Sequence, residues 1–87
     1  MSNETWPHWW DWEVELSSHV LKRMVDRSFN ETELRLMMSV ATGYREDKEP
    51  ERWVVETVHE SRRWEVIVEP DTVDQLLVVI TAYSVEG

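Results

Sequence analysis

The spacing of apolar residues in the first half of the chain predicts one strand followed by a helix. Residues 12–16 alternate apolar and acidic side chains, which is the period of a half-buried strand. From residue 17 onwards the apolar positions recur at helical spacing, as on one face of an amphipathic helix. Ser17 or Ser18 is placed to cap this helix, which is expected to end near residues 28–29. Its apolar face would be formed by Val20, Leu21, Met24 and Val25.

A second helix follows, with start and stop signals of its own. Asn30 and Glu33 have the spacing of a capping box, in which each side chain accepts a hydrogen bond from the other residue's backbone. Gly43 is placed to end the helix in a left-handed conformation. The polar residues 44–51, which include Pro50, predict an exposed loop. The apolar positions of this helix, expected to fill the core, are Leu34, Met37, Met38 and Ala41.

The second half of the chain predicts three strands. Residues 52–60 and 63–69 would form a hairpin around a tight turn at Ser61 and Arg62. After a second turn, residues 75–85 form a run rich in β-branched side chains, which is typical of a central strand buried on both faces. The order of strand, two helices and a three-stranded antiparallel meander predicts an α+β fold with both helices on one sheet face.

The first dozen residues are rich in tryptophan and show no clear period. We expect residues 1–12 to form an irregular arm whose indoles cover part of the core or of a partner. Residues 13–87 would then form a single domain, because a chain of 87 residues has room for one core.

Composition limits the kinds of function that this chain can have. It contains no cysteine, which excludes disulfides and thiolate metal sites. No apolar run approaches the roughly 20 residues that a membrane span requires, and the first residues lack the layout of a secretory signal. These features predict a soluble, cytoplasmic protein without a membrane partner.

The net charge of −9 argues against indiscriminate binding to nucleic acid, because phosphate groups repel an acidic surface. The charge is unevenly distributed, however: residues 17–45 carry five arginines and lysines against three acidic residues, a local charge of about +2. Such a cationic face suits a small anionic target or a short RNA segment. A high-salt habitat would also produce an acidic composition, and both explanations stay open.

Three residues with phosphate-binding chemistry lie four positions apart on the first predicted helix: His19, Arg23 and Arg27. Residues at this spacing share one helix face. Histidine transfers protons near neutral pH, and arginine holds phosphate oxygens with a planar fork of donors. The row therefore predicts a site for a phosphate-bearing ligand. The alternative is a solvated lattice in which the arginines pair with nearby acids.

The stretch around this row resembles a small bacterial family. Its pattern of His, three residues, Arg-Met, two residues and Arg resembles the signature helix of a domain-of-unknown-function group. The closing Val-Val-Ile-Thr-Ala-Tyr resembles the last strand of that group, and with the strand order the likeness covers residues 13–83. By this resemblance the chain is similar to the RelE- and BrnT-like toxins of the barnase, EndoU, colicin and RelE ribonuclease assemblage.

The resemblance implies a compact, metal-independent endoribonuclease of a toxin–antitoxin or related system, with RNA as substrate and an antitoxin or other protein as partner. The implied catalytic residues are His19, as general acid or base, Arg23, as phosphate stabiliser, and Thr81. The residues expected to contact the substrate are Arg27, Arg63 and Tyr83. Packing roles are the alternative for Thr81 and Tyr83 in a strand of this composition.

Other histidines and arginines offer further candidates. His59 is either a second proton donor for a two-histidine mechanism or an exposed residue at the end of a hairpin. Arg62 and Arg63 either contact an RNA backbone or form an ordinary charged turn. A metal site built from His8, His19 and His59 is disfavoured because no two histidines have the spacing of a helical ligand pair. We expect no metal and no cofactor.

Three functions follow from these observations. The first is metal-independent RNA cleavage, which the row of His19 and two arginines favours. The second is a non-catalytic relative that binds a protein partner through the acidic, tryptophan-rich arm, which the overall acidity favours. The third is a domain that binds a small anion. The sequence favours the ribonuclease slightly.

Overall fold

The computed structural model describes residues 6–85. Within this range the chain forms, in order, a short 3-10 helix (His8–Asp11), β1 (Glu13–Leu16), α1 (Ser18–Asp26), α2 (Glu31–Ser39), β2 (Gly43–Glu46), β3 (Trp53–His59), β4 (Arg62–Asp71) and β5 (Leu76–Ser84). Neither α-helix has the length and apolar surface needed to cross a membrane, nor does any other helix of residues 6–85.

The five strands form one mixed sheet in the order β1-β5-β4-β3-β2. Strands β2 to β5 pair with one another in antiparallel fashion, whereas β1 runs parallel to β5 and pairs with it as far as Leu16 opposite Val79. The α+β class is therefore confirmed. The predicted element order is matched in part: β3, β4 and β5 form the expected antiparallel meander, but β2 extends it to four strands.

Strand β2 is the element that the sequence pattern missed. Gly43 was expected to end α2 in a left-handed conformation, but α2 ends at Ser39 with Val40 as its cap. Gly43 instead opens β2 opposite Glu56, and its φ is not positive. The predicted loop over residues 44–51 is therefore wrong in its first part. Tyr44 explains the difference, because its ring packs among tryptophans and draws this polar segment onto the sheet.

The hairpin between β3 and β4 turns one residue earlier than expected. Glu60 and Ser61 occupy the turn, with φ angles of 53° and 66°. Two consecutive left-handed residues match the type of two-residue turn whose twist suits a hairpin. The side chains of Arg62 and Arg63 consequently belong to β4 and point to opposite faces of the sheet.

The start of α1 is fastened to the last strand through its cap. Ser17 Oγ accepts a hydrogen bond from Val20 N at 3.1 Å, and donates one to Ile80 O at 3.0 Å. Ile67 lies opposite Thr81 while the next residue, Val68, lies opposite Val79, so Ile80 is an extra residue that forms a bulge. The cap thus satisfies the bulge carbonyl and the helix N-terminus together.

The second helix begins with the capping box that the sequence predicts. Glu33 N donates to Asn30 Oδ1 at 2.8 Å, and Asn30 N donates to Glu33 Oε1 at 3.0 Å. This reciprocal pair fixes the Glu33 carboxylate as well as the helix start.

The hydrophobic core lies between the two helices and the facing side of the sheet, called here the inner face. Its buried members include Val20, Leu34, Met37, Met38, Val55, Val66, Leu77 and Val79. Trp9 is buried within this core, and the rings of Trp6 and Trp10 stack on each other beside it. The tryptophans from residue 6 onwards therefore pack largely against the domain. Met37 and Met38 fill the core, as expected.

Candidate functional site

The opposite side of the sheet, called here the outer face, carries a hydrogen-bonded set of polar residues from four strands. Glu56 on β3 lies directly opposite Glu65 on β4, and Glu65 lies opposite Tyr83 on β5. Arg45 on β2 donates hydrogen bonds to both carboxylates, at 3.0 Å in the case of Glu65 Oε2. Tyr83 Oη donates to Glu65 Oε1 at 2.8 Å. We call these four residues the outer-face cluster.

The register of the sheet creates this cluster, and Arg45 makes it stable. Two like charges directly opposite each other on neighbouring strands destabilise a sheet. Here Glu56 and Glu65 share the guanidinium of Arg45, which forms an ion pair with each of them. The hydrogen bond to Glu65 is the main cause that raises the pKa of Arg45 above its ordinary value.

The hydrogen bond between Tyr83 and Glu65 changes the pKa values of the two groups in opposite directions. Burial acts to raise the pKa of Glu65, but hydrogen bonds from Tyr83 and Arg45 outweigh it and hold that pKa below its ordinary value. Burial, followed by the hydrogen bond to Glu65, raises the pKa of Tyr83 to about 12. At neutral pH the site therefore contains a firmly ionised carboxylate next to a neutral phenol that keeps its proton.

A cavity of about 240 Å³ opens beside this cluster. Its lining includes Glu56, Glu65 and Arg63. The Arg63 side chain is exposed and makes no ion pair within residues 6–85. The cavity thus combines a cation that makes no ion pair within residues 6–85 with two carboxylates, and the charge of that cation helps to lower the pKa of Glu65.

The helical row that the sequence singled out does not converge on this cavity. His19 is exposed, and none of the hydrogen bonds or ion pairs of residues 6–85 involves its side chain. Arg23 forms an ion pair with Asp26, with 2.9 Å between Nη1 and Oδ2. Neither residue lines the outer-face cavity. Their catalytic roles stay predictions, and the alternative of pairing with a nearby acid describes Arg23 as the structure shows it.

Arg27 and Thr81 are brought together, at the edge of β5. Arg27 Nη1 donates to Thr81 Oγ1 at 3.1 Å and to the main-chain oxygen of Ala82 at 2.8 Å. Strand β1 pairs with β5 only as far as Val79, so these hydrogen bonds occupy the strand edge beyond its end. This arrangement holds the end of α1 against the sheet. The predicted substrate contact of Arg27 and the predicted catalytic role of Thr81 stay predictions.

Of the six predicted site residues, Arg63 lines the outer-face cavity and Tyr83 belongs to the outer-face cluster. Sequence reasoning missed Arg45, Glu56 and Glu65. The available signal was the alternation of β3 and β4, which puts Glu56 and Glu65 on the polar face of their strands. Arg45 gave no such signal, because its strand was interpreted as a loop.

The inner face has a separate group of potential metal ligands. Glu33, His59 and Glu60 each bring one ligand atom to within 4.8 Å of the others. His59 is not the exposed hairpin residue considered above, since its side chain is only 9% exposed. Among residues 6–85 this is the one such group of three, and it includes neither His8 nor His19. The combination of His8, His19 and His59 is therefore not formed.

Fold and site together define a small α+β domain with two helices on one face of a mixed sheet and a polar cluster on the other. The chain belongs to the family described as a domain of unknown function (DUF4258), whose model matches residues 16–84. No curated protein and no solved structure matches the chain.

Proposed function

We propose that this protein is a metal-independent endoribonuclease whose catalytic site is the cavity on the outer face. One observation carries the proposal: Arg63 has no ion-pair partner within residues 6–85 and lines the same cavity as Glu56 and Glu65. The Tyr83 hydroxyl group, hydrogen-bonded to Glu65, adds a proton donor.

The proposed reaction uses one residue for each chemical task. Glu56 accepts the proton of a ribose 2′-hydroxyl, and the 2′-oxygen attacks phosphorus while Arg63 holds the non-bridging oxygens. The bond to the 5′-oxygen breaks, and that oxygen takes the proton of the Tyr83 hydroxyl. The products are a 2′,3′-cyclic phosphate and a 5′-hydroxyl end, after which Glu56 and Tyr83 exchange protons with water.

Glu56 rather than Glu65 is assigned as the base because of their partners. Glu65 accepts hydrogen bonds from both Tyr83 and Arg45, and its lowered pKa makes it a weaker proton acceptor. Glu56 has Arg45 as its hydrogen-bond partner and is the more exposed of the two carboxylates. Glu65 and Arg45 therefore act as positioning residues that orient the groups in contact with RNA.

The acidic surface limits the kind of RNA that this site accepts. A chain with a net charge of −9 repels long polyanions, and the residues that line the cavity include one arginine, Arg63, which makes no ion pair within residues 6–85. The proposed substrate is therefore a short, single-stranded segment, bound mainly at the scissile phosphate.

Cleavage of a labelled single-stranded RNA by the purified chain in the presence of EDTA tests this proposal. Arg63→Ala and Glu56→Gln should each reduce the cleavage rate by on the order of 10²-fold or more. Tyr83→Phe should mainly slow the step in which the 5′-oxygen leaves. Arg62→Ala is the matched control, because Arg62 is adjacent and exposed but belongs to the other sheet face.

Two results would reject the outer-face site. If His19→Ala and Arg23→Ala abolish cleavage while the outer-face variants retain it, the chemistry belongs to α1. If the wild-type chain leaves RNA intact over a range of sequences and salt concentrations, the protein is not a ribonuclease.

A protein-interaction module is the second candidate, and exposed apolar side chains on α1 favour it. Leu21 and Val25 lie four residues apart, and Val25 is 82% exposed. Lys22 and Arg23 flank them, so a fitting partner would offer apolar anchors with carboxylates around them. Binding to the product of an adjacent gene would test this. Val25→Lys should abolish binding, whereas Val73→Lys, at a turn residue of similar exposure, should not.

A further inference from the structure

We propose that Glu33, His59 and Glu60 form a binding site for a divalent transition-metal ion of the Zn²⁺ class. The site lies where the turn between β3 and β4 meets the first turn of α2, on the inner side of the sheet. It is therefore separate from the outer-face cluster, and it goes beyond the proposed ribonuclease. It also departs from the expectation, drawn from sequence, that the protein has no metal site.

The buried state of His59 is the first observation. Its side chain is 9% exposed, and its Nε2 atom is buried with no hydrogen-bond partner among residues 6–85. A buried polar atom left without a partner costs free energy, and native structures rarely contain one without a reason. The ring packs edge-on against Trp64, with 5.7 Å between the ring centroids, and this contact holds its orientation.

The two carboxylates in front of Nε2 are the second observation. Nε2 is 3.8 Å from Glu33 Oε2 and 3.9 Å from Glu60 Oε2. Both distances are too long for hydrogen bonds. They suit a metal ion between the atoms, since bonds from zinc to nitrogen or oxygen are about 2.0–2.2 Å. The Glu60 side chain is 77% exposed and is free to make the small remaining adjustment.

The capping box prepares Glu33 as a ligand. Its Oε1 atom accepts the hydrogen bond from Asn30 N, which leaves Oε2 directed towards His59. One oxygen thus orients the carboxylate while the other is available to the metal, as is usual for ligands supported by a second hydrogen bond.

The composition of the site indicates the type of ion. Two carboxylates in a chain of net charge −9 attract a cation. An imidazole ligand favours zinc, iron or nickel over magnesium or calcium, which prefer oxygen ligands alone. Three protein ligands leave one position of a tetrahedral ion for water.

Titration of the purified full chain with ZnCl₂, followed by calorimetry and by ¹⁵N NMR of the histidine side chains, tests the site. Binding of one Zn²⁺ should shift the Nε2 resonance of His59 and leave His8 and His19 unchanged. Glu60→Gln and Glu33→Gln should each weaken binding at least about tenfold. Both variants should fold, because the amide of Glu33→Gln keeps an oxygen for the capping box and Glu60 is exposed. Glu15→Gln, at an exposed glutamate of β1, is the matched control.

Three outcomes would overturn the metal site: no binding of Zn²⁺, binding that shifts His8 or His19 instead, or equal affinity in all three variants. The test is independent of RNA cleavage, which is measured in EDTA, so either proposal can fail without the other.

Discussion

The hydroxyl group of Tyr83 donates a 2.8 Å hydrogen bond to the carboxylate of Glu65 on the neighbouring strand. The two residues are cross-strand partners, so the register of β4 and β5 fixes this contact. Burial, followed by this contact, raises the pKa of Tyr83 to about 12, and the same contact helps to hold the pKa of Glu65 below its ordinary value. The contact therefore affects stability as well as the proposed chemistry.

Tyr83→Phe should destabilise the fold by about 1 kcal/mol at pH 7, with a smaller effect in acid. The folded pKa of Glu65 is lowered, so its ionised form contributes stability above its ordinary pKa of 4.5. That contribution is lost as the pH falls through the folded pKa. Urea denaturation of the wild type and the variant at pH 7 and pH 3 would measure the difference.

Glu65→Gln provides the control for the Tyr83 prediction. In this background, Tyr83→Phe should cost less, and its cost should not depend on pH in the acid range, because no carboxylate remains. If Tyr83→Phe costs the same at both pH values in the protein that keeps Glu65, the Tyr83 hydroxyl stabilises the fold by some other contact.

Arg27→Ala should lower the free energy of unfolding by roughly 1–2 kcal/mol. The variant loses the hydrogen bonds to Thr81 Oγ1 and to Ala82 O, and that carbonyl stays at the strand edge without this donor. Arg35→Ala is the matched control, since the one ion-pair partner of Arg35 among the described residues is Glu31, one helical turn away. It should cost no more than about 0.5 kcal/mol. Thermal or urea denaturation of both variants would measure the two losses in free energy of unfolding.

Ser17→Ala should cost about 1–2 kcal/mol, whereas Ser18→Ala should have almost no effect. Ser17 Oγ caps α1 and also donates to Ile80 O, while the neighbouring Ser18 is exposed and makes no hydrogen bond through its side chain within residues 6–85. The adjacent serines thus form a matched pair. Equal unfolding free energies for the two variants would contradict the assigned cap.

Helix starts were predictable because their signals are local. The serine cap and the pairing of Asn30 with Glu33 depend on residues three positions apart, and both form as expected. Strand β2 was not predictable in the same way. Its four residues have a weak pattern of their own, and they become a strand by pairing with β3 and by packing Tyr44 against distant tryptophans.

The candidate site was only partly predictable for a similar reason. Helical spacing correctly placed His19 and Arg23 on α1, and Arg27 is its C-cap, but the spacing does not say which direction each long side chain takes. Arg23 turns to Asp26 and Arg27 reaches β5. The outer-face cluster depends on the register of four strands, which no local pattern encodes.

The salt dependence of RNA binding gives the sharpest test of Arg63. For single strands, each phosphate neutralised by a cationic side chain contributes about −0.7 to the slope of log affinity against log salt concentration. We expect the Glu56→Gln variant, which should bind without cleaving, to show a small slope of this order. Adding Arg63→Ala should reduce the magnitude of this slope by about 0.7, because Arg63 is the cation proposed to hold the phosphate in the cavity. Adding Arg62→Ala instead should leave the slope unchanged. If the slope changes with Arg23→Ala but not with Arg63→Ala, the phosphate binds at α1 and not in the outer-face cavity.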